Sequence, residues 1–272
     1  MLRKYMILFI VLATVLTLSA CGPKEVTFPD LELEAVIRDA IDKPEGSILA
    51  SDLEGLTSLF DLSKSITDLT GLEYCTDLTR LHLGDRCQIS DLSPVASLAN
   101  LRSLHLYRCE ITDISPIASL TSLTMLSLDM NQISDISPLA SLTNLRFLSL
   151  DGCEITDVSP LASLTSLTML SLDMNQITDI SPIASLTSLT DLQLGWNQIS
   201  DISPLASLTN LRFLSLWGNE ISDIEPLVAN RGLSAGDTVV VVFRNPLSST
   251  SVSEYVPQLV ERGVKIDHEI LD

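Results

Sequence analysis

Apolar positions through the middle of the chain follow a compound rhythm. Leu123, Leu126 and Leu128 open a unit, Ile133 and Ile136 continue it, Leu139 and Leu142 close it, and the pattern restarts at Leu145. LTMLSLDMNQISDISPLASLTN from Leu123 is followed by LRFLSLDGCEITDVSPLASLTS from Leu145 and LTMLSLDMNQITDISPIASLTS from Leu167, a 22-residue unit. Leu126 and Leu128 alternate with Ser127 and Asp129, the period of a short strand with two side chains inward and their neighbours outward. Asn131 falls at the following turn, where its amide can satisfy inward-facing backbone groups, coil above coil, as a ladder; in some units Cys takes the position. Ser137-Pro138 then supplies an N-cap residue and a proline at the first helical position, which predicts a short helix or 3₁₀ turn as the return leg.

A unit this short cannot bury its own apolar face, so it must stack on its neighbours. The repetition predicts a solenoid with a parallel sheet and a long, shallow surface suited to gripping another molecule. Binding rather than catalysis is the default reading. The consensus L-x-x-L-x-L-x-x-(N/C)-x-I-(S/T)-D-(I/L/V)-S-P-(L/I/V)-A-S-L-T-x resembles the bacterial leucine-rich repeats of the internalin type, and seven consecutive units carry it. The ladder column reads Cys87, Cys109, Asn131, Cys153, Asn175, Asn197, Asn219 and, after a four-residue insertion, Asn245. The resemblance implies an α/β leucine-rich repeat solenoid, a curved parallel β-sheet with short helical or 3₁₀ return turns, closed by a helical N-terminal cap and a C-terminal cap. It also implies recognition of proteins, including host receptors in some internalins. The chain departs from wall-anchored internalins in having no wall-sorting motif, cell-wall repeat module or enzyme domain.

Two irregularities stand out. In a degenerate first unit Leu56, Leu59, Ile66, Thr67, Asp68 and Leu69 fit, but Asp61 and Lys64 occupy a leucine position and the ladder position, so that coil is expected to be irregular. Units beginning Leu-Arg (from Leu101, Leu145 and Leu211) place Glu after the ladder residue, and units beginning Leu-Thr (from Leu123, Leu167 and Leu189) place Gln there. A 44-residue pair is thus the larger unit, which points to tandem duplication.

The N-terminus reads as an export signal: Arg3 and Lys4, an apolar run from Tyr5 to Leu18 that is short for a bilayer span, then small residues. Leu18-Ser19-Ala20-Cys21 resembles the bacterial lipobox, which implies lipidation of Cys21 and removal of residues 1–20. Acyl chains there would anchor the protein stably to a membrane. Residues 21–27 hold the lipidated Cys21 and a tether, of which Gly22 to Thr27 spans at most about 20 Å. Asp30 can cap a helix with Leu33, Val36, Ile37, Ala40 and Ile41 on one face, so residues 28–55 read as the N-terminal cap. Repeats occupy 56–230, and 231–272 hold the last coil and C-terminal cap, with Val252, Tyr255, Val256, Leu259 and Val260 as an apolar helical face and Val264 and Ile266 as a final edge strand. Pro257 makes that helix short or starts it nearby.

Charge is read through the repeat. The formal net charge of −19 disfavours nucleic acid and anionic membrane surfaces as partners. Eight acids, Asp68, Asp91, Asp113, Asp135, Asp157, Asp179, Asp201 and Asp223, form one column just before a turn start, where a carboxylate can accept backbone N–H bonds. Much of the acidity is therefore architecture. Cys75, Cys87, Cys109 and Cys153 read as small buried core residues. Cys87 and Cys109 lie on adjacent coils about 5 Å apart, within bridging distance although both side chains point the same way. His82 and His105 share a strand column, but the cysteines face the other side of the sheet, which excludes a His₂Cys₂ zinc site. With no nucleophile elbow, Walker loop or metalloprotease helix, neither catalytic residues, nor a metal, nor a cofactor is expected.

Functional information then lies between the structural leucines. The outward strand columns hold Arg102, Met125, Arg146, Phe147, Met169, Asp191, Arg212 and Phe213, and beside them run Tyr107, Asp129, Asp151, Asp173, Trp196, Trp217 and Phe243. Six of the ten aromatic residues beyond the signal fall here, on a face that does not need them for the core, and they are of the types that dominate interface energetics. The candidate partner-binding residues are Asp191, Trp196, Arg212, Phe213, Trp217, Phe243, Phe147 and Tyr107, concentrated from Leu189 to Asn245. The internalin resemblance implies that the ligand is a protein or peptide, the lipobox implies a lipid-anchored, extracytoplasmic protein of the bacterial envelope, expected to be monomeric, and these residues supply the plausible binding surface. Alternative readings are a glycan-binding module, with Trp196, Trp217 and Phe243 stacking on sugar rings and Asp173 and Asp191 as acceptors, or a stalk without a dedicated ligand.

Overall fold

A computed structural model describes residues 24–61, 66–84, 87–234 and 238–268. Cys21, the signal and Lys64 lie outside the described residues. Ahead of the repeats come β1 (Glu25–Val26), α1 (Leu31–Ala40) and β2 (Ile48–Leu49), with β1 antiparallel to β2. The stretch read as a tether to Thr27 is therefore folded from Glu25 onward, because Val26 and Phe28 are buried. Asp30 caps α1 as expected, accepting from the Glu32 and Leu33 N–H groups through Oδ1. Its other oxygen accepts from the Thr67 and Asp68 N–H groups and the Thr67 hydroxyl, so one carboxylate ties the helix to the first coil. Burial pushes the Asp30 pKa up, but these donors outweigh it and hold it below the ordinary value.

Among the described residues the repeat sheet is a parallel array of ten strands in chain order. Its members are β3 (Ser58–Asp61), β4 (Arg80–Gly84), β5 (Ser103–Tyr107), β6 (Met125–Ser127), β7 (Phe147–Ser149), β8 (Met169–Ser171), β9 (Asp191–Gln193), β10 (Phe213–Ser215), β11 (Val239–Val241) and β12 (Lys265–Asp267). Consecutive strands pair without slippage, Leu126 on Leu148 and Leu148 on Leu170, so equivalent side chains stack into columns. Every inward leucine of the central coils is fully buried.

Return legs are 3₁₀ turns such as Ser137–Ser141 and Ser159–Ser163, with α2 (Glu225–Ala229) in the corresponding place of a later coil. The serine does not cap them, contrary to the sequence expectation. Ile136 occupies the N-cap, and Asp135, two residues before Ser137, accepts its N–H at 2.8 Å. The aspartate column repeats this bond from Asp91 to Asp201 with the following Ser, and at Asp223 with Glu225. From Ser119 to Ser207 the closing serine of the turn donates to an alanine carbonyl one coil back, as Ser141 does to Ala118 at 2.8 Å, and Ser97 donates to the Glu73 carbonyl in the same way, which stitches the coils on that side.

The ladder is a hydrogen-bonded bridge between coils. Asn175 accepts from the Ile155 N–H at 3.1 Å and donates to the Leu150 and Leu172 carbonyls at 2.9 and 3.0 Å. Cys153 substitutes as a sulfur acceptor from the Asn131 and Ile133 backbone and donates weakly to Leu128 O. The thiols at 75, 87, 109 and 153 are buried and unbridged. At the far end a π-helical turn, Ser251–Tyr255, leads into α3 (Val256–Glu261). The wide turn and Pro257, which has no N–H, narrow the buried face to Ser251, Val256 and Leu259; Val252 and Val260, expected on that face, are exposed.

Candidate binding surface

Three side-chain columns face outward from the strands. The first runs Ser103, Met125, Phe147, Met169, Asp191, Phe213; the second His82, His105, Ser127, Ser149, Ser171, Gln193, Ser215. The third begins at Tyr107 and continues just past the strand ends through Asp129, Asp151, Asp173, Gly195, Trp217 and Phe243. A fourth position, immediately before the ladder residue, has left-handed backbone wherever it falls among the described residues, with φ 56° at Met130, 59° at Met174, 50° at Trp196 and 68° at Gly218. Trp196 belongs to this fourth position. The sequence grouping of Trp196 with Trp217 in one column is thus corrected by one residue, since Leu-Gly-Trp-Asn and Leu-Trp-Gly-Asn exchange the two places.

That exchange builds an aromatic cluster. A Cβ at Gly195 would lie 2.2 Å from Trp217 Nε1, so the glycine leaves the space that the Trp217 indole fills. Trp217 meets Trp196 edge to face at 5.4 Å between ring centroids and stacks on Phe243 at 5.5 Å. The Arg244 guanidinium sits 5.7 Å over the Trp196 ring, which remains 46% exposed. Phe213 lies on the same coil as Trp217, four residues upstream, and is paired with Asp191 on the neighbouring strand. Asp191 accepts from the Thr190 hydroxyl at 2.7 Å. Arg212 stands one residue before the strand, off the face, with its guanidinium on its own coil's Leu211 carbonyl. Phe147 and Tyr107 lie several coils toward the N-terminus, apart from the cluster.

The acidic column is not the open surface its sequence suggests. Asp129 Oδ1 accepts from Ser149 Oγ at 2.6 Å and the Asp151 N–H at 2.9 Å, and Asp151 does the same with Ser171 and Asp173. Asp173 accepts from the Gly195 N–H at 2.6 Å and from the Trp217 side chain. Burial, reinforced by the Asp151 charge, pushes Asp173 up to about 6 despite those bonds. At the other end, Phe60 contacts His82 edge to face at 4.6 Å, and His82 stacks on His105 at 4.8 Å. Burial lowers both histidine pKa values, aided at His82 by the neighbouring His105 and opposed at His105 by the Asp129 charge. Phe60, 63% exposed, had no place among the sequence candidates; its only signal is a phenylalanine in the outward strand position of the irregular first coil. Among the described residues no group of three His, Cys, Asp or Glu side chains is arranged to hold a metal.

Known structures share this fold. Internalin C2 of Listeria monocytogenes is 35% identical with a TM-score of 0.71, over 82% of this chain and 98% of that one. The chain belongs to the internalin family of leucine-rich repeat proteins. A family model described as leucine-rich repeats in two copies matches residues 99–141, 143–185 and 187–229, so each match of this internalin spans two coils. Internalin F of the same organism is 29% identical with a TM-score of 0.56, over 92% of this chain and 93% of that one. The functional domain of internalin J, described as including a cysteine ladder, shares the fold at 23% identity and a TM-score of 0.64, covering 92% of this chain and 64% of that one. No curated protein sequence is significantly similar to the chain. Leucine-rich repeats of this kind are binding modules, and no described helix is long and apolar enough to cross a membrane.

Proposed function

We infer that this internalin is a membrane-tethered extracytoplasmic protein whose outward sheet face binds a protein or peptide, with Trp196, Trp217, Phe243 and Phe213 as anchors. The observation that carries the reading is the aromatic cluster, assembled through paired Gly–Trp exchanges on a surface where the core requires no aromatic residue. Sugar stacking calls for ring faces open to solvent. Trp217 and Phe243 turn theirs toward each other and Trp196 shares one with Arg244, which favours a polypeptide over a glycan. The chain has two tryptophans, both in the cluster, so intrinsic fluorescence reports on the site directly. Peptides selected from a displayed library should shift that emission on binding, and Trp217→Ala should weaken them by more than about 2 kcal/mol while leaving circular dichroism unchanged. Selected peptides that bind without moving the emission and ignore Trp217→Ala would place the site elsewhere.

The tether rests on Leu18-Ser19-Ala20-Cys21. With β1 starting at Glu25, the span from Cys21 to Lys24 reaches at most about 10 Å, which would hold the first coil near the bilayer. Cys21→Ser should release the protein from the membrane fraction or leave its precursor uncut. Wild-type protein found soluble in a native envelope extract would refute the anchor.

A further inference from the structure

We propose that the edge of the solenoid where the strands begin carries an oxyanion site, formed by Arg102 and Arg146 across the intervening coil and suited to a phosphate or sulfate group. Arg102, Ser122, Thr124, Asn144, Arg146 and Ser166 line a pocket of about 290 Å³ there. The two arginines are two coils apart, about 10 Å between backbones by strand spacing. The residue between them is Thr124, too short to fill the gap, whose hydroxyl is held on the Arg102 carbonyl at 3.1 Å. Asn144 is fixed as a wall by its bond to the Thr121 carbonyl at 2.9 Å. The Ser122 and Ser166 hydroxyls and both guanidinium groups make no hydrogen bond or ion pair among the described residues, leaving their donors free.

Unpaired arginines are unexpected in a chain of net charge −19 unless the acids are kept away from them. They are. From Ala96 to Tyr107, Ala118 to Leu128, Ala140 to Leu150 and Ala162 to Leu172 there is no Asp or Glu, so over four coils this edge is acid-free while the aspartate columns lie past the strands. A guanidinium presents a planar fork of donors, and two forks approaching from opposite sides need acceptors on both sides of the ligand. A tetrahedral oxyanion offers them; a single carboxylate has both oxygens along one edge. The alternation of Leu-Arg and Leu-Thr units supplies this Arg–Thr–Arg arrangement once, because two Leu-Thr units in succession separate Arg146 from Arg212.

The test is calorimetric titration of the purified full-length protein with inorganic pyrophosphate and with sulfate at low ionic strength, where surface electrostatics are least screened. Saturable binding is expected. Arg102→Gln and Arg146→Gln should each weaken it about tenfold, the loss of one charge-assisted contact, while Arg212→Gln and Trp217→Ala leave it unchanged. The Trp217 control separates this site from the peptide-binding face, so either can fail without the other. Absence of saturable binding in the wild type, or binding that the Arg102→Gln/Arg146→Gln double variant retains, would overturn the assignment.

Discussion

Asp173 and Asp179 stand six residues apart in one coil, and their carboxylates meet opposite fates. Asp179 lies exposed at the start of a 3₁₀ turn, where its oxygens accept from the Ser181 N–H and hydroxyl at 2.8 and 3.0 Å; those bonds hold its pKa below the ordinary value. Asp173 lies half-buried at the end of a strand, and burial with a like charge one coil back drives its pKa up. Both belong to columns that recur coil after coil. The turn aspartate finds its donors two residues away in its own coil, whereas the strand-end aspartate takes its donors, and its electrostatic opposition, from neighbouring coils. Stacking thus multiplies a local stabilising bond in one column and accumulates like charge in the other.

Both columns exist only because the coils are fixed in register, and the largest expected effect comes from undoing that. Asn175→Ala removes three buried contacts, to Ile155, Leu150 and Leu172, and should cost about 3 kcal/mol or more in urea unfolding, since stranded backbone groups cost roughly 1 to 3 kcal/mol each. Leu170→Ala, at a fully buried position of the same coil, should cost about 2 to 5 kcal/mol and sets the scale. Losses under about 0.5 kcal/mol at both would show that neither column is held by the ladder and core described above.

Much of this was legible in the sequence, for a definite reason. A 22-residue period with Leu126 and Leu128 inward and Asn131 at the turn is a local pattern repeated, and each repetition corroborates the last. The turn aspartates were legible too, because Asp135 and its donor on Ser137 are two residues apart. What escaped was set by neighbours a coil away. Asp129, Asp151 and Asp173 read as open acidic surface until Ser149, Ser171 and Gly195 are seen to donate to them from the next coil. Leu-Gly-Trp-Asn and Leu-Trp-Gly-Asn already set Trp196 and Trp217 one residue out of step, but the packing of the Trp217 indole into the space at Gly195, one coil back, is visible only in the stacked coils. Phe60 escaped because its coil is the one that breaks the pattern.

Asp173→Asn gives the next largest effect and tests the strand-end column. Its folded pKa of about 6 lies above the ordinary carboxylate value of 3.8, so its contribution to stability is fully present below about pH 4 and is lost as pH rises through about 6. The loss should amount to about 1 to 2 kcal/mol once solvent screening of this partly exposed group is allowed for. Unfolding midpoints should therefore fall from pH 4.5 to 7 in the wild type and stay flatter in the variant, which has no proton to lose. Parallel profiles for the two proteins would mean that the charge on Asp173 is not opposed by its surroundings.

The smallest effect belongs to the turn column, and its value is in the sign. Asp179→Asn keeps an oxygen where the Ser181 N–H donates, so the bond survives and the variant loses only the charge. The depressed pKa of Asp179 makes its contribution present above the ordinary value of 3.8 and lost as pH falls through the lower, folded value. Wild type should accordingly be slightly more stable than the variant at pH 5 to 7, and the gap should close as pH falls below the ordinary carboxylate value, the reverse of the Asp173 pair. Carboxylate titration followed by carbon NMR would assign each limb to its residue. A gap at Asp179 that stays constant across the acid range would mean the oxygen, not the charge, carries the turn, and the two columns would then differ in burial alone.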